Sequence, residues 1–355
     1  MSRWSKRIPE HLWKKFNEAL VAVARRRGIS SGRKMRFDTT VVETDIHYPT
    51  DSSLLEDGIK KLGNLAKKAK RLGIAEGEVV RDFTRSAKKR VLAIVKYAGK
   101  RSEENLERVK KYYAELVIIG KRSVAYAKKV TTAIVQASTD LEKKVARHIE
   151  RLNQQYQKYI PRIEQVIEQT VRRVFHGEAV RVDEKLVSIH EPHSYPVCKG
   201  KRAQPVEFGQ VVKIQEADGK MITDWQSYPS QPADCNLFLP AIDRHMEIFK
   251  RPPHLGAGDR GCWSAENERI AREKRVKRVC IPKRGKADEE RKAYEKQRWF
   301  RQGQRFRAGS EATISVLKRR NGMDRCRDEG QEGMDNWIAL SCIARNLWTI
   351  AHARA

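Results

Sequence analysis

Apolar positions change their spacing along this chain, and each spacing predicts a different element. Pro9 to Arg27 reads as a helix that stops at Gly28, Ser30, Ser31 and Gly32. Residues 35–44, MRFDTTVVET, are rich in β-branched side chains and lie between turn formers, the pattern of a strand. Alternation puts Asp38 on one face with Arg36, Thr40 and Val42, and Phe37, Thr39 and Val41 on the other. From Leu55 to Phe175 apolar residues recur at three and four, as in Ile59, Leu62, Leu65, Ala66 and Ala69, and again in Ile149, Leu152, Tyr156 and Tyr159. Within that block Gly is sparse and the first Pro is Pro161, so the spacing predicts long amphipathic helices in an antiparallel hairpin or small bundle.

Strand patterns return after the block. Residues 184–192 and 209–219 alternate, the second ending in an Asp-Gly turn followed by KMITDWQSYP. Residues 233–250 read as an amphipathic helix bent at its internal Pro240. Residues 252–261 read as a short strand entering a Gly-rich loop, 264–277 as a helix capped by Ser264, and 277–285 as a strand. Residues 309–322 read as a helix closed by Gly322, and 336–351 as an apolar helix. This element order predicts an α/β protein: an RNase H-like mixed sheet with flanking helices, interrupted by a long all-α insertion after the first strand. The corresponding division is a helical leader at 1–34, the first strand at 35–54, a basic helical insertion at 55–178 and the remainder of the core at 179–355.

Charge changes the picture next. The chain of 355 residues carries 74 Lys and Arg against 45 Asp and Glu, a net +29. Residues 55–175 hold 29 of the cations and 14 of the acids, so +15 of the excess lies in the helical block. Such a surplus calls for a polyanionic partner. No apolar stretch approaches the roughly 20 residues of a membrane span, and the first residues lack the apolar core of a secretory signal. Nucleic acid is the better partner, and a membrane is not expected. The six cysteines form no C-x-x-C pair and stand at no zinc-finger spacing, which suits single thiols in a reducing compartment.

Three acids stand out by position: Asp38 in a strand, Asp259 where a strand ends in Gly256, Gly258 and Gly261, and Glu311 opening a helix. A carboxylate inside a strand is costly unless it is paired or binds a cation. In an RNase H-like sheet three such carboxylates converge at one edge, where their repulsion calls for about two divalent cations. Two metals roughly 3.5–4 Å apart clamp the attacking and leaving oxygens of an in-line phosphoryl displacement. Glu43, Asp45 and Asp234 compete for these positions; Asp45 is too close to Asp38 to be its partner, and Asp234 reads as a helix cap. His190 and His193 read as packing or DNA contacts, and Trp263 as a core aromatic.

The runs RFDTTVVETDIHYPTDSSLLEDG (36–58), PVEFGQVV (205–212), GDRGCWSAENERIARE (258–273), PKRG (282–285) and RFRAGSEATISVLKRRNGMDRCR (305–327) resemble bacterial insertion-sequence transposases of the DDE class. The likeness is nearest to the ISNCY group beside the branch with a Y-R-E-K signature, and it runs from Arg36 to the end. It implies that Asp38 (in D-T-T), Asp259 (in D-R-G) and Glu311 are the catalytic, metal-holding triad. Arg307, Glu311 and Lys318 fit the signature's spacing, whereas Gln304 stands where the Tyr belongs. Bottom-up, Arg307, Glu311 and Lys318 share one face of a continuous helix; if the helix starts only at Gly309 or Ser310, Arg307 reaches in from a loop.

The resemblance further implies two Mg²⁺ ions, with Mn²⁺ able to substitute, and double-stranded DNA as partner, both transposon ends and target. It implies a homodimer in the synaptic complex, a bacterial cytoplasmic, nucleoid-associated location, and end cleavage followed by strand transfer. Arg260, Arg307, Lys318, Lys283 and Arg284 are the expected DNA contacts. Cys262 stands at what resembles an aromatic position, an exchange expected to loosen the loop holding Asp259. Relatives carry a longer helical region before the first Asp, so an N-terminally truncated copy is expected. The residues alone leave two other readings open: a decayed, non-catalytic DNA-binding protein, and an RNase H-like nuclease without strand transfer.

Overall fold

A computed structural model describes residues 7–74, 82–99, 102–137, 143–198 and 206–353. Two compact units share the chain, one formed by Met1–Asp45 with Pro196–Ala355, the other by Ile46–Tyr195.

The first unit is built on a mixed sheet. Its strands are β1 (Lys34–Thr44), β2 (Tyr195–Cys198), β3 (Val206–Ala217), β4 (Ile222–Tyr228), β5 (Leu255–Ala257), β6 (Arg278–Cys280) and β7 (Arg325–Cys326). β3 runs antiparallel to β1 with Asp38 opposite Ile214, and β4 runs antiparallel to β3. β5 and β6 run parallel on the other side of β1. The order β4-β3-β1-β5-β6 is the RNase H-like order that the sequence predicts, with the helical insertion after its first strand. β2 adds to β3 and β7 to the far end of β1.

The helices of this unit are α1 (Glu10–Arg26), then, numbered after the four of the insertion, α6 (Phe238–Phe249), α7 (Ala265–Glu273), α8 (Glu289–Lys296), α9 (Arg298–Asn321) and α10 (Gly330–Ala351). The predicted alternation of β1 holds. Met35 and Phe37 pack with Phe238 and Ile242 of α6 and with Ala271 of α7. Val42, on the face of Asp38, packs with Leu317 of α9 and Ile338 and Cys342 of α10. The leader helix α1 joins the core: Val21 and Ala24 pack with Ala217 and Met221, and Asn17 bonds the Ile222 carbonyl and Asn346.

The insertion is a bundle of α2 (Asp51–Arg71), α3 (Thr84–Ala98), α4 (Glu103–Ala137) and α5 (Lys143–Val174). Thr50 and Ser53 form a reciprocal capping box at the start of α2. The apolar stripes read from the sequence form one core, with Leu55, Ile59, Leu116, Ile134, Tyr156 and Ile163 fully buried. Pro161 lies inside α5.

Three expectations are corrected. Residues 184–192 are no strand. Leu186 and Ile189 are buried in the bundle core, and Gln169 of α5 bonds both the Leu186 N–H and carbonyl while Arg162 bonds the Ile189 carbonyl. Side chains of a helix thus take the place of a neighbouring strand. Pro240 bends nothing, because α6 begins at Phe238 and puts Pro240 in the first turn, where the missing N–H has no helical partner to lose. Helix α9 begins at Arg298, well before Gly309, and closes on Gly322 in the left-handed region at φ 75°.

Candidate active site

The register of β1 with β5 sets the site. Arg36 lies opposite Ala257, the last residue of β5, in the parallel pair; Asp38 follows two residues on in β1, and Asp259 follows two residues on in the loop that leaves β5, close enough for its charge to act on Asp38. Asp38 is fixed by two donors: the Thr39 N–H to Oδ1 at 2.9 Å and the Ser310 hydroxyl to Oδ2 at 3.1 Å. Its carboxyl is pushed above the ordinary range by burial, with Asp259 adding to the rise, against the pull of Arg307. Asp259 opens the 3-10 turn Arg260–Cys262 and accepts from the Cys262 N–H at 3.1 Å and thiol at 3.1 Å. The buried Cys262 therefore ties down this loop, where an aromatic-to-thiol exchange was expected to loosen it.

A third carboxylate joins them. Asp234 is raised first by partial burial and then by Asp259 and Asp38, with Arg284 opposing. A Cβ at Gly261 would lie 2.6 Å from Asp234 Oδ2, so glycine lets the Asp259 loop pass directly over it. The short 3-10 turn at Asp234–Asn236 is preceded by Ala233, and no side chain caps it. Sequence reasoning weighed Asp234 and set it aside as a cap; the glycine two residues after Asp259 is the signal that such a neighbour exists.

Glu311 is placed differently. It lies on the continuous helix α9, its side chain 69 % exposed, and accepts from Arg307 Nη1 at 3.2 Å. The other end of the Arg307 fork is 3.9 Å from Asp38 Oδ2. One guanidinium thus links Glu311 to Asp38. Gln304, in the signature's Tyr position, donates to the Cys280 carbonyl at 2.9 Å and to the Gly258 carbonyl at 3.4 Å, joining α9 to the ends of β5 and β6. Among the described residues no group of three or more His, Cys, Asp or Glu is arranged to hold a metal ion. The repulsion among Asp38, Asp234 and Asp259 nonetheless fits a cation, which would remove the cost of gathering them.

Residues 261–351 match the family model of the transposase DDE domain. This part of the chain is similar to a transposase DDE domain. The matched segment contains Arg307, Glu311 and Lys318 and begins just after Asp259. No curated protein and no solved structure matches the chain.

Around Asp38, Asp234 and Asp259 the expected DNA contacts divide. Arg260 and Arg284 are exposed beside Asp259 and Asp234. Lys283 pairs with Asp288 at 3.0 Å and stands over the Trp263 ring, while Lys318 pairs with Asp324 at 3.4 Å, two turns beyond Glu311. The competing acids Glu43 and Asp45 both pair with Arg325, at the opposite end of β1 from Asp38's neighbour Arg36. His193 faces Glu191 at 3.4 Å and His190 packs edge-on against Tyr159, as the packing reading has it. In the helical unit, Lys68, Arg71 and Arg151 rim a groove of about 370 Å³ floored by Leu65, Leu72 and Leu152. No helix of the described residues is long and apolar enough to cross a membrane.

Proposed function

We propose that this chain is the transposase of an insertion sequence, cutting DNA at the element's ends and joining the freed 3′ ends to target DNA. The observation that carries the reading is the closeness of Asp38, in β1, to Asp259, in the loop leaving the parallel neighbour β5, next to a segment that matches the transposase DDE domain. Asp38 and Asp259 would hold divalent metal, Mg²⁺ with Mn²⁺ as substitute, and Glu311 and Asp234 stand nearest to complete the set. The metal, when bound, supplies Lewis acidity for in-line displacement at phosphorus.

The chain's own residues do the rest. Ser310 and the Thr39 N–H orient the Asp38 carboxylate and keep its oxygens from rotating. Arg307 holds Glu311 beside Asp38 and, with Arg260 and Arg284, offers positive charge to the phosphates flanking the cut. The +15 of residues 55–175 adds backbone affinity without sequence preference. A homodimer bridging both ends is the assembly this reading requires.

The test is cleavage and strand transfer on DNA carrying the element's terminal sequences, in Mg²⁺, for wild type against Asp259→Ala. Loss of both products in the variant supports the reading, and equal activity overturns the site. Cleavage without joined product would leave a nuclease in its place. DNA binding with neither product in wild type would leave the decayed copy.

A further inference from the structure

Two residues before Asp38, on the same face of β1, lies Arg36, 4 % exposed. Its Nη2 bonds Glu216 Oε2 of β3 at 2.6 Å, and Glu216 is fully buried. Its Nη1 bonds the Phe306 carbonyl of α9, and its guanidinium lies 4.7 Å over the Phe306 ring. The same Glu216 oxygen accepts from Thr313 Oγ1 at 2.9 Å. A Cβ at Gly309 would run into the Arg36 guanidinium. Neither Arg36 Nε nor Glu216 Oε1 has a hydrogen-bond partner among the described residues.

A buried ion pair with unmet valences is weak support for stability, since a well-packed apolar pair of the same volume often does as well or better. What this pair does have is aim. It grips α9 at Phe306, Gly309 and Thr313, the turns that carry Arg307, Ser310 and Glu311. Successive residues on one face of a strand are about 7 Å apart, so Arg36 and Asp38 meet α9 about one helical turn apart. We propose that Arg36 and Glu216 are positioning residues: they fix the rotation and height of α9, and so the reach of Glu311 and Arg307 to the Asp38 carboxylate. The consequence for metal rests on the transposase reading above; the placement of α9 does not.

The test replaces the pair by apolar residues of like volume, Arg36→Met with Glu216→Leu, beside Arg36→Lys and a control core variant on the opposite sheet face, Ile242→Val. In the double variant, amide exchange in α9 between residues 306 and 314 should rise by about tenfold or more. Exchange in α6 should stay as in wild type. The Mg²⁺ concentration for half-maximal cleavage should rise several-fold, with partial recovery in Mn²⁺ and in Arg36→Lys. The control should move neither. A folded double variant with wild-type α9 protection overturns the proposal, whatever its activity. So does raised exchange with an unchanged metal requirement in a protein that cleaves. If the double variant does not fold, Glu216→Gln keeps the volume and must shift both readouts in the same direction. If wild type cleaves nothing, α9 exchange still decides the positioning, and it is the transposase reading that falls.

Discussion

Gly309→Ala is a substitution for which helix propensity and packing give opposite signs. Alanine in the interior of α9 gains roughly 1 kcal/mol over glycine. At this position, though, the new methyl meets the Arg36 guanidinium. That group is the end of a flexible side chain, but it is pinned by Glu216, by the Phe306 carbonyl and by the Phe306 ring. Moving it away leaves a fully buried carboxylate without its cation, a loss of about 3–5 kcal/mol. The net is a destabilisation of about 2–4 kcal/mol. In a unit of this size each kcal/mol lowers Tm by about 2–4 °C, so a fall of roughly 5–15 °C is expected in calorimetry. The exposed neighbour Ala308 calibrates the propensity, since Ala308→Gly measures the helix cost in the same turn without the clash. A Tm for Gly309→Ala equal to or above wild type would refute the argument, because it would mean that the guanidinium does not stand against the helix.

Further outcomes can be checked alongside it. In metal-free protein Asp38→Asn should raise Tm at neutral pH: the folded carboxyl sits above its ordinary 3.8, so the fold favours its protonated form. The stability its protonated form contributes is present below 3.8 and lost as pH rises from there through the higher folded value, and a variant whose Tm against pH parallels wild type across that range would contradict this. Asp259→Asn should lower cleavage by about a thousandfold, on the scale of losing one preorganised electrostatic group. Asp234→Asn should lower it less, and Asp45→Asn, paired with Arg325 away from the cluster, should leave it unchanged; a null Asp234→Asn would remove that residue from the site. Arg260→Ala should weaken DNA binding alike on all sequences and reduce the salt slope by about 0.9 per lost phosphate contact; a change confined to one sequence would point instead to base contact.

Much of the scaffold was legible because periodicity carries it. The alternation in residues 35–44 gave the faces of β1, and the three-and-four spacing gave the helices of the insertion, since both follow from which side of an element is buried. The failures have tertiary causes. The 184–192 segment alternates like a strand, yet its backbone partners are Gln169 and Arg162, side chains that no local pattern predicts. Gly309 looks like a helix boundary and is a point of close approach to Arg36, information held 273 residues away in sequence from Arg36 (309 minus 36). At the site, Asp38 could be picked out by the oddity of a carboxylate in a strand. Its closeness to Asp234 is set by the path of the Asp259 loop, and the exposed setting of Glu311 by its bond to Arg307, so neither could be read from spacing.

The splitting of the sheet by an inserted unit has a consequence for how the chain comes together. β1 leaves synthesis early, and its partner β3 follows only after all of Ile46–Tyr195. Were that stretch disordered, pairing Val42 with Gln210 would close a very long loop. A helical bundle rich in local contacts forms on faster timescales than such a closure, and once compact it shortens the effective loop whose ends must meet. β1, with its four buried apolar residues Met35, Phe37, Val41 and Val42, then waits as an unpaired edge for the shortest time that topology allows. The carboxylates assemble last of all, because Asp259 and Glu311 arrive with the closing third of the chain: a protein still being made has its basic surface well before Asp38 meets its acidic neighbours.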